Sequence, residues 1–274
     1  MKKPLVPGSV TLGLLLVASP LLSHDFWLVP NAFHIAAGGE LTVEGRTSSE
    51  FPTSLSAVTV DRVESARLIT AAGEEAITDL GVSDVSLRLR HRPKNDGQAI
   101  VAVRVRPRSI PESPESFREY VRLEGAPDAL ARYEAQGILP TDSITRRYAK
   151  YAKVLVHIGR GGEPVHARAV GHPLEFVTLG DPATTTGALR VRMLFQGRPL
   201  PHARGHVSVA ESASSERAFH GAEFETDASG EFTVDLGGRH GVWNVRALYI
   251  VPAPAGSGAD WDVHWATLVW NAGH

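Results

Sequence analysis

The sequence contains no cysteine. That absence excludes disulfide staples, a cysteine nucleophile and a lipid anchor built on an acylated cysteine. Several catalytic signatures are missing too: there is no Gly-x-Ser-x-Gly elbow, no His-Glu-x-x-His pair and no phosphate loop. An enzyme is therefore the less favoured expectation. The formal net charge is −2, with no block of like charges, so the chain carries no electrostatic footprint for nucleic acid or anionic lipid. Small molecules, ions and protein partners remain. Without disulfides the fold must bury enough apolar surface by itself, and 43% hydrophobic residues in 274 are sufficient for that.

No apolar run is long enough to span a bilayer comfortably. The best is Leu12 to Leu22, which follows Lys2 and Lys3 and precedes polar sequence. It reads as the core of a secretory signal peptide, not a membrane anchor. Ser23 supplies the small residue that cleavage prefers, whereas a cut after Ser19 would leave Pro20 at the new start. Residues 1–23 are thus predicted to be removed, giving a periplasmic or secreted protein with no membrane span that begins at His24.

Beyond His24 the dominant period is two residues, as expected of half-buried strands. It appears at Leu41–Glu44, Ala57–Val60, Val85–Arg90 and Ala99–Val105, with turns at Gly38-Gly39, Ala72-Gly73 and Asn95-Asp96-Gly97. Ser113-Pro114-Glu115 reads as a helix cap, first-turn proline and first-turn acid, followed by Phe117, Tyr120, Val121 and Glu124 at helical spacing up to Gly125. A second short helix is expected from Pro127 to Gln136 and a further helical turn from Asp142. Val154–Ile158 returns to strand. Residues 180–187 have linker composition, and fresh alternation from Leu189 predicts a seven-strand sandwich of immunoglobulin or transthyretin type. The expected fold is mainly β: an antiparallel β-sandwich over 24–179 with a helical insertion at about 113–149, then a β-sandwich over 187–274.

Three stretches together resemble a known family. They are His24-Asp25-Phe26-Trp27; then Phe117, Tyr120, Glu124 and Gly125 followed by Tyr148, Lys150 and Lys153 at a basic helix end; then Pro173-Leu174-Glu175 with the closing Trp265-Ala-Thr-Leu268. The pattern is similar to a bacterial exported family of domains of unknown function (DUF4198-like), grouped with periplasmic components of nickel and cobalt uptake systems. The chain departs from it at Thr145-Arg146, where members commonly carry Arg-Glu, and at Lys150, where they carry arginine. The resemblance implies a metal-handling accessory protein, with a membrane metal-transport complex as the partner.

The residues themselves point to His24. A mature N-terminal histidine can chelate through its α-amine and imidazole Nδ1, and an amine with a pKa of roughly 7.7–8.0 is readily deprotonated near neutrality. Nitrogen donors suit nickel, cobalt and copper. The amino-terminal copper/nickel motif with histidine in third place is excluded, because Phe26 stands there. Asp25 faces the other way on an extended strand and is expected to orient a neighbour. Further ligand candidates are His264, on the last strand beside Trp261 and Trp265, and His91 and His157 in or next to strands of the first half. His34 is too far along an extended strand to share a metal with His24 unless the chain reverses. His202, His206, His220, His240 and His274 read as loop residues.

Two other readings remain open. One is a metal-free β-sandwich for protein interaction or carbohydrate binding, with Trp27, Trp261 and Trp265 as the sugar platform, although core packing explains these rings more simply. The other is a copper-dependent oxidase using a two-histidine brace. The basic run Arg146, Arg147, Lys150 and Lys153 reads as a solvated helix C-terminus.

Overall fold

The computed structural model describes residues 24–124, 126–137 and 142–272. The predicted signal peptide, Gly125 and His274 lie outside the described residues. In chain order the elements are β1 (Asp25–Pro30), β2 (His34–Ile35), β3 (Leu41–Ser48), β4 (Val63–Thr70), β5 (Gly73–Ala76), β6 (Asp79–Ser83), β7 (Ser86–His91) and β8 (Gly97–Glu112). Then come α1 (Pro114–Leu123), α2 (Pro127–Ala135), β9 (Ile144–Ile158), β10 (Leu174–Thr178), β11 (Ala188–Phe195) and β12 (Arg198–Pro199). The last five are β13 (Arg204–Ala210), β14 (Phe219–Glu225), β15 (Glu231–Asp235), β16 (Gly241–Pro252) and β17 (Trp261–Ala272). The protein is mainly β with two short helices, as the two-residue alternation predicts.

The strands form three layers. The widest has the order β14-β13-β16-β17-β9-β8-β4-β5, with β2 paired to the end of β9. One side of it is covered by the sheet β1-β3-β7-β6, the other by β10-β11-β12 with β15 on the second edge of β11. Side chains alternate along the long strands and so divide between the two covers. In β8, Ala99, Val101, Val103 and Val105 share a core with β1, β3 and β7, while Ile100 and Ala102 share one with β10 and β11. In β17, Val269 joins the first core and Leu268 and Trp270 the second.

This layering ties together the two segments expected as successive sandwiches. Strand β17 runs parallel to β9, with Trp265 opposite Lys150 and His264 opposite Ala149. The stretches 24–179 and 187–274 therefore contribute to one continuous sheet. The pairing of β2 with β9 is also parallel, so the sheets are not antiparallel throughout.

Three local expectations need correction. Residues 144–158 are a strand, not a basic helix end. Alanine, lysine and arginine all favour helix, and the spacings Tyr148/Tyr151 and Lys150/Lys153 imitate one helical face. Here both edges of the segment are bonded, to β8 and β17, and the sheet overrides propensity. Ala57–Val60 forms no strand; it is extended chain running into a short 3-10 turn at Val60–Arg62. No helical turn starts at Asp142, and the chain from there enters β9 at Ile144.

The helices follow the sequence closely. Ser113 Oγ accepts the Ser116 N–H at 3.2 Å, Pro114 opens the first turn, and Phe117, Tyr120 and Val121 are buried. Phe117 stacks on Trp261 with ring centroids 5.5 Å apart, Tyr133 of α2 lies 4.3 Å from the same ring, and its hydroxyl donates to the Ile250 carbonyl at 2.7 Å. The helices thus close over Trp261, Val263 and Trp265, beside β1 and on the same side of the wide sheet. Trp27, Trp261 and Trp265 are 0%, 1% and 2% exposed: these rings fill cores and form no surface platform.

Candidate functional site

As a strand, β9 sends Lys150 and Lys153 to opposite faces, because residues three apart on a strand never share one. Each lysine fixes a different outer layer. Lys153 Nζ lies 2.8 Å from Glu175 Oε2 of β10, with both side chains almost wholly enclosed. Glu175 also accepts the Val170 N–H at 2.9 Å and the Gly171 N–H at 3.0 Å. Lys150 Nζ donates to the carbonyl of His24, one residue before β1.

All six residues of β1 are buried. Thr267 Oγ1 donates to the Phe26 carbonyl at 2.7 Å. The Phe26 ring lies over Gly45, where an added Cβ would fall 2.7 Å from a ring carbon, so only glycine fits. Such contacts fix His24 against the wide sheet. The His24 imidazole is held below its ordinary range, first by partial burial and then by the Lys150 ammonium; it is neutral at physiological pH and available as a donor.

Around Lys150 lies a small group of charges. Asp25 is almost completely buried, its Oδ2 3.1 Å from Arg246 Nε, and burial outweighs Arg246 and Lys150 to raise it to about 6. It orients Arg246, the role expected of it. Glu124, at the end of α1, is raised to about 7 by burial and then by Asp25, against Arg246, Arg146 and Lys150. Burial lowers Lys150 to about 8, opposed by Asp25 and Glu124. The Arg146 guanidinium sits 3.8 Å above the Tyr120 ring and donates to Glu112 Oε1 at 2.5 Å.

Beside this group opens a cavity of about 420 Å³, whose walls include His24, Arg62, Arg108, Arg146, Tyr148 and Lys150. Of the residues carrying the family resemblance, His24, Tyr148 and Lys150 therefore meet at one place, whereas Lys153 lies on the opposite face. Arg62 and Arg108 on the cavity wall, and Arg246 beside Asp25, carry no signal in the sequence. They are scattered over 184 positions and placed there only by the sheet.

The other proposed ligands lie elsewhere. His264 faces the second cover, with Nδ1 3.0 Å from Tyr151 Oη and its ring 5.3 Å from Phe195. Lys150, and with it His24, lies on the opposite face. Burial lowers His264 to about 4 and its neighbour His172 to about 3. His91 Nε2 is 3.1 Å from Glu75 Oε2; it pairs with Leu41, seven residues along β3 from Ser48, the partner of Asp25, or roughly 23 Å at strand spacing. His157 lies as far from Lys150 along β9, and its ring is 5.2 Å from that of His34, whose Nε2 is 2.9 Å from the Gly159 carbonyl. His206 and His220, read as loop residues, lie in β13 and β14. Among the described residues no three His, Cys, Asp or Glu side chains form a set able to hold a metal ion.

The raised Glu124 has a measurable consequence. A carboxyl whose folded pKa exceeds its unfolded value contributes stability at low pH that disappears as pH rises through the folded value. For Glu124 that window runs from its ordinary 4.5 to about 7. Glu124→Gln should therefore gain stability relative to the wild type between pH 5 and pH 8 in urea unfolding, with chelator present; a constant difference across that range would contradict the assignment.

A family model described as "Domain of unknown function (DUF4198)" matches residues 21–251. No curated protein matches significantly. Among solved structures, a DUF4785 family protein from Legionella pneumophila is 8% identical with a TM-score of 0.25, the match covering 80% of this chain and 51% of that one. The chain thus spans about half the length of the Legionella protein. The Yersinia pseudotuberculosis adhesin InvE is 13% identical with a TM-score of 0.21, covering 90% of this chain and 58% of that one. The D0-D1 domain of intimin is 10% identical with a TM-score of 0.20, covering 90% of this chain and 97% of that one. No helix among the described residues is long and apolar enough to cross a membrane.

Proposed function

The chain belongs to the DUF4198 family, and from that premise we propose that it is an exported accessory protein handling a transition-metal cargo, nickel, cobalt or copper, through His24 as the mature N-terminal residue. The observation that carries this reading is the position of His24: a neutral imidazole on the wall of a cavity of about 420 Å³, with its carbonyl held by a buried lysine. Removal of residues 1–23 would add an α-amine at the same position. The two nitrogens form a bidentate donor suited to these metals.

The donor set favours a carrier over a structural site. With no third His, Asp or Glu completing a cluster among the described residues, several coordination positions are left to whatever ligands accompany the metal. An open set of this kind can load and release, as an accessory to a membrane metal-transport complex must. A two-histidine oxidase brace is less well supported, because His264 faces the other layer. A sugar platform is less well supported too, because its three tryptophans are buried.

The test begins with mass spectrometry of the exported protein to establish its first residue. Calorimetric titration with nickel, cobalt and copper should then show His24→Ala weaker than the wild type by on the order of 100-fold. Equal affinities would remove His24 from the site and with it this function.

A further inference from the structure

We propose that the metal enters the cavity as its complex with a small polycarboxylate, whose carboxylates Arg62 and Arg108 hold while the metal faces His24; this rests on the metal-handling reading above. The charge of the walls is the first argument. The cavity is lined by the cationic side chains of Arg62, Arg108, Arg146 and Lys150 against the single carboxylate of Asp61. Arg146 is neutralised by Glu112, and Lys150 has Asp25 and Glu124 as counter-charges. The Arg62 guanidinium donates to the Arg106 carbonyl, at 2.7 Å, and neither it nor Arg108 has a carboxylate partner among the described residues. Such a wall weakens the binding of a bare dication relative to that of an anionic complex. A dication wrapped by a polycarboxylate carries net negative charge and is attracted to it.

The backbone supplies the second argument. The pairing of β8 with β9 slips between Val105 and Arg108, and that of β4 with β8 slips between Val63 and Ser65. Bulges re-aim side chains and concentrate beside binding sites. These two flank the same cavity, one at Arg108 and one just after Arg62, and the Arg62 guanidinium ties them together through the Arg106 carbonyl. A guanidinium fork matches a carboxylate with two parallel hydrogen bonds, which a lysine cannot offer. The cavity volume of about 420 Å³ falls within the range usual for small-molecule ligands.

Equilibrium dialysis of the exported, processed protein tests this, with labelled citrate as the probe, with and without nickel. The wild type should retain citrate about 10-fold more tightly when nickel is present. The double variant Arg62→Gln/Arg108→Gln should lose that retention by about 10-fold or more while still binding nickel alone. Its circular dichroism should be unchanged, because Arg108 is exposed and Arg62 half-buried; should it fail to fold, Arg62→Lys/Arg108→Lys keeps the charge, removes the fork and should show the same selective loss. Nickel bound with no citrate retained, citrate retained equally by the arginine variants, or displacement of citrate by an equal concentration of inorganic phosphate would each overturn the polycarboxylate inference alone. Failure to bind nickel in any form would overturn the metal-handling reading, and this inference with it.

Discussion

Replacing Lys153 by methionine should destabilise the protein by about 3–5 kcal/mol, the usual cost of leaving one partner of a buried ion pair without its counter-charge. Methionine fills much of the lysine stem's volume, so the loss would report charge more than cavity. Glu175 would remain with two backbone N–H donors, from Val170 and Gly171, and no ion-pair partner among the described residues, at 1% exposure. The pair joins the wide sheet to its second cover. Urea unfolding followed by tryptophan fluorescence should show the shift. Adding Glu175→Gln to Lys153→Met should cost much less than the sum of the two single changes, since the coupled groups fail together. A loss below about 1 kcal/mol for Lys153→Met would mean that the pair is hydrated like a surface bridge.

The same strand shows how far the sequence could be read. Alternation was explicit where one face of a strand is polar, as in β3 and β7, and in those places strand and turn positions are legible. It vanishes in β9, because that strand is central and covered on both sides, leaving a run of alanine, lysine and tyrosine whose helix propensity points the wrong way. Lys150 and Lys153 were therefore legible as a pair but not as the two fixings of different layers. Ala57–Val60 failed for the opposite reason: it alternates without pairing, because the chain turns at Val60–Arg62 to line the cavity.

The candidate site divides in the same way. His24 stood out because the predicted signal peptide ends before it, a property of a few neighbouring residues. Its surroundings depend on which faces the sheets present to each other. His264 sits only one position from Trp265, which opposes Lys150, yet that single step sends its ring to the other layer. Glu124 was visible as part of a helical motif, but its raised pKa arises from burial and from Asp25, nearly a hundred residues earlier in the chain. Arg62 and Arg108 gave no pattern at all, since a bulge leaves no fixed sequence spacing.

Extending the mature chain by one residue should abolish most of its metal affinity while leaving the fold intact. An alanine inserted between Ser23 and His24 converts the His24 nitrogen from a free amine, with a pKa of roughly 7.7–8.0, into a peptide amide with no basic lone pair. The imidazole, the Lys150 contact and the cavity all remain. The free amine moves to the inserted alanine, so the six-membered ring that the His24 amine and Nδ1 close by themselves is lost, while the side chains of the wall are unchanged. Because β1 is buried along its length, an added residue cannot shift its register and must project outward. The decisive measurement is calorimetric nickel titration of this extended protein beside the wild type, with both starting residues verified by mass. Affinity lower by on the order of 100-fold at an unchanged urea midpoint is expected; equal nickel affinity in the two proteins would contradict an N-terminal histidine clamp.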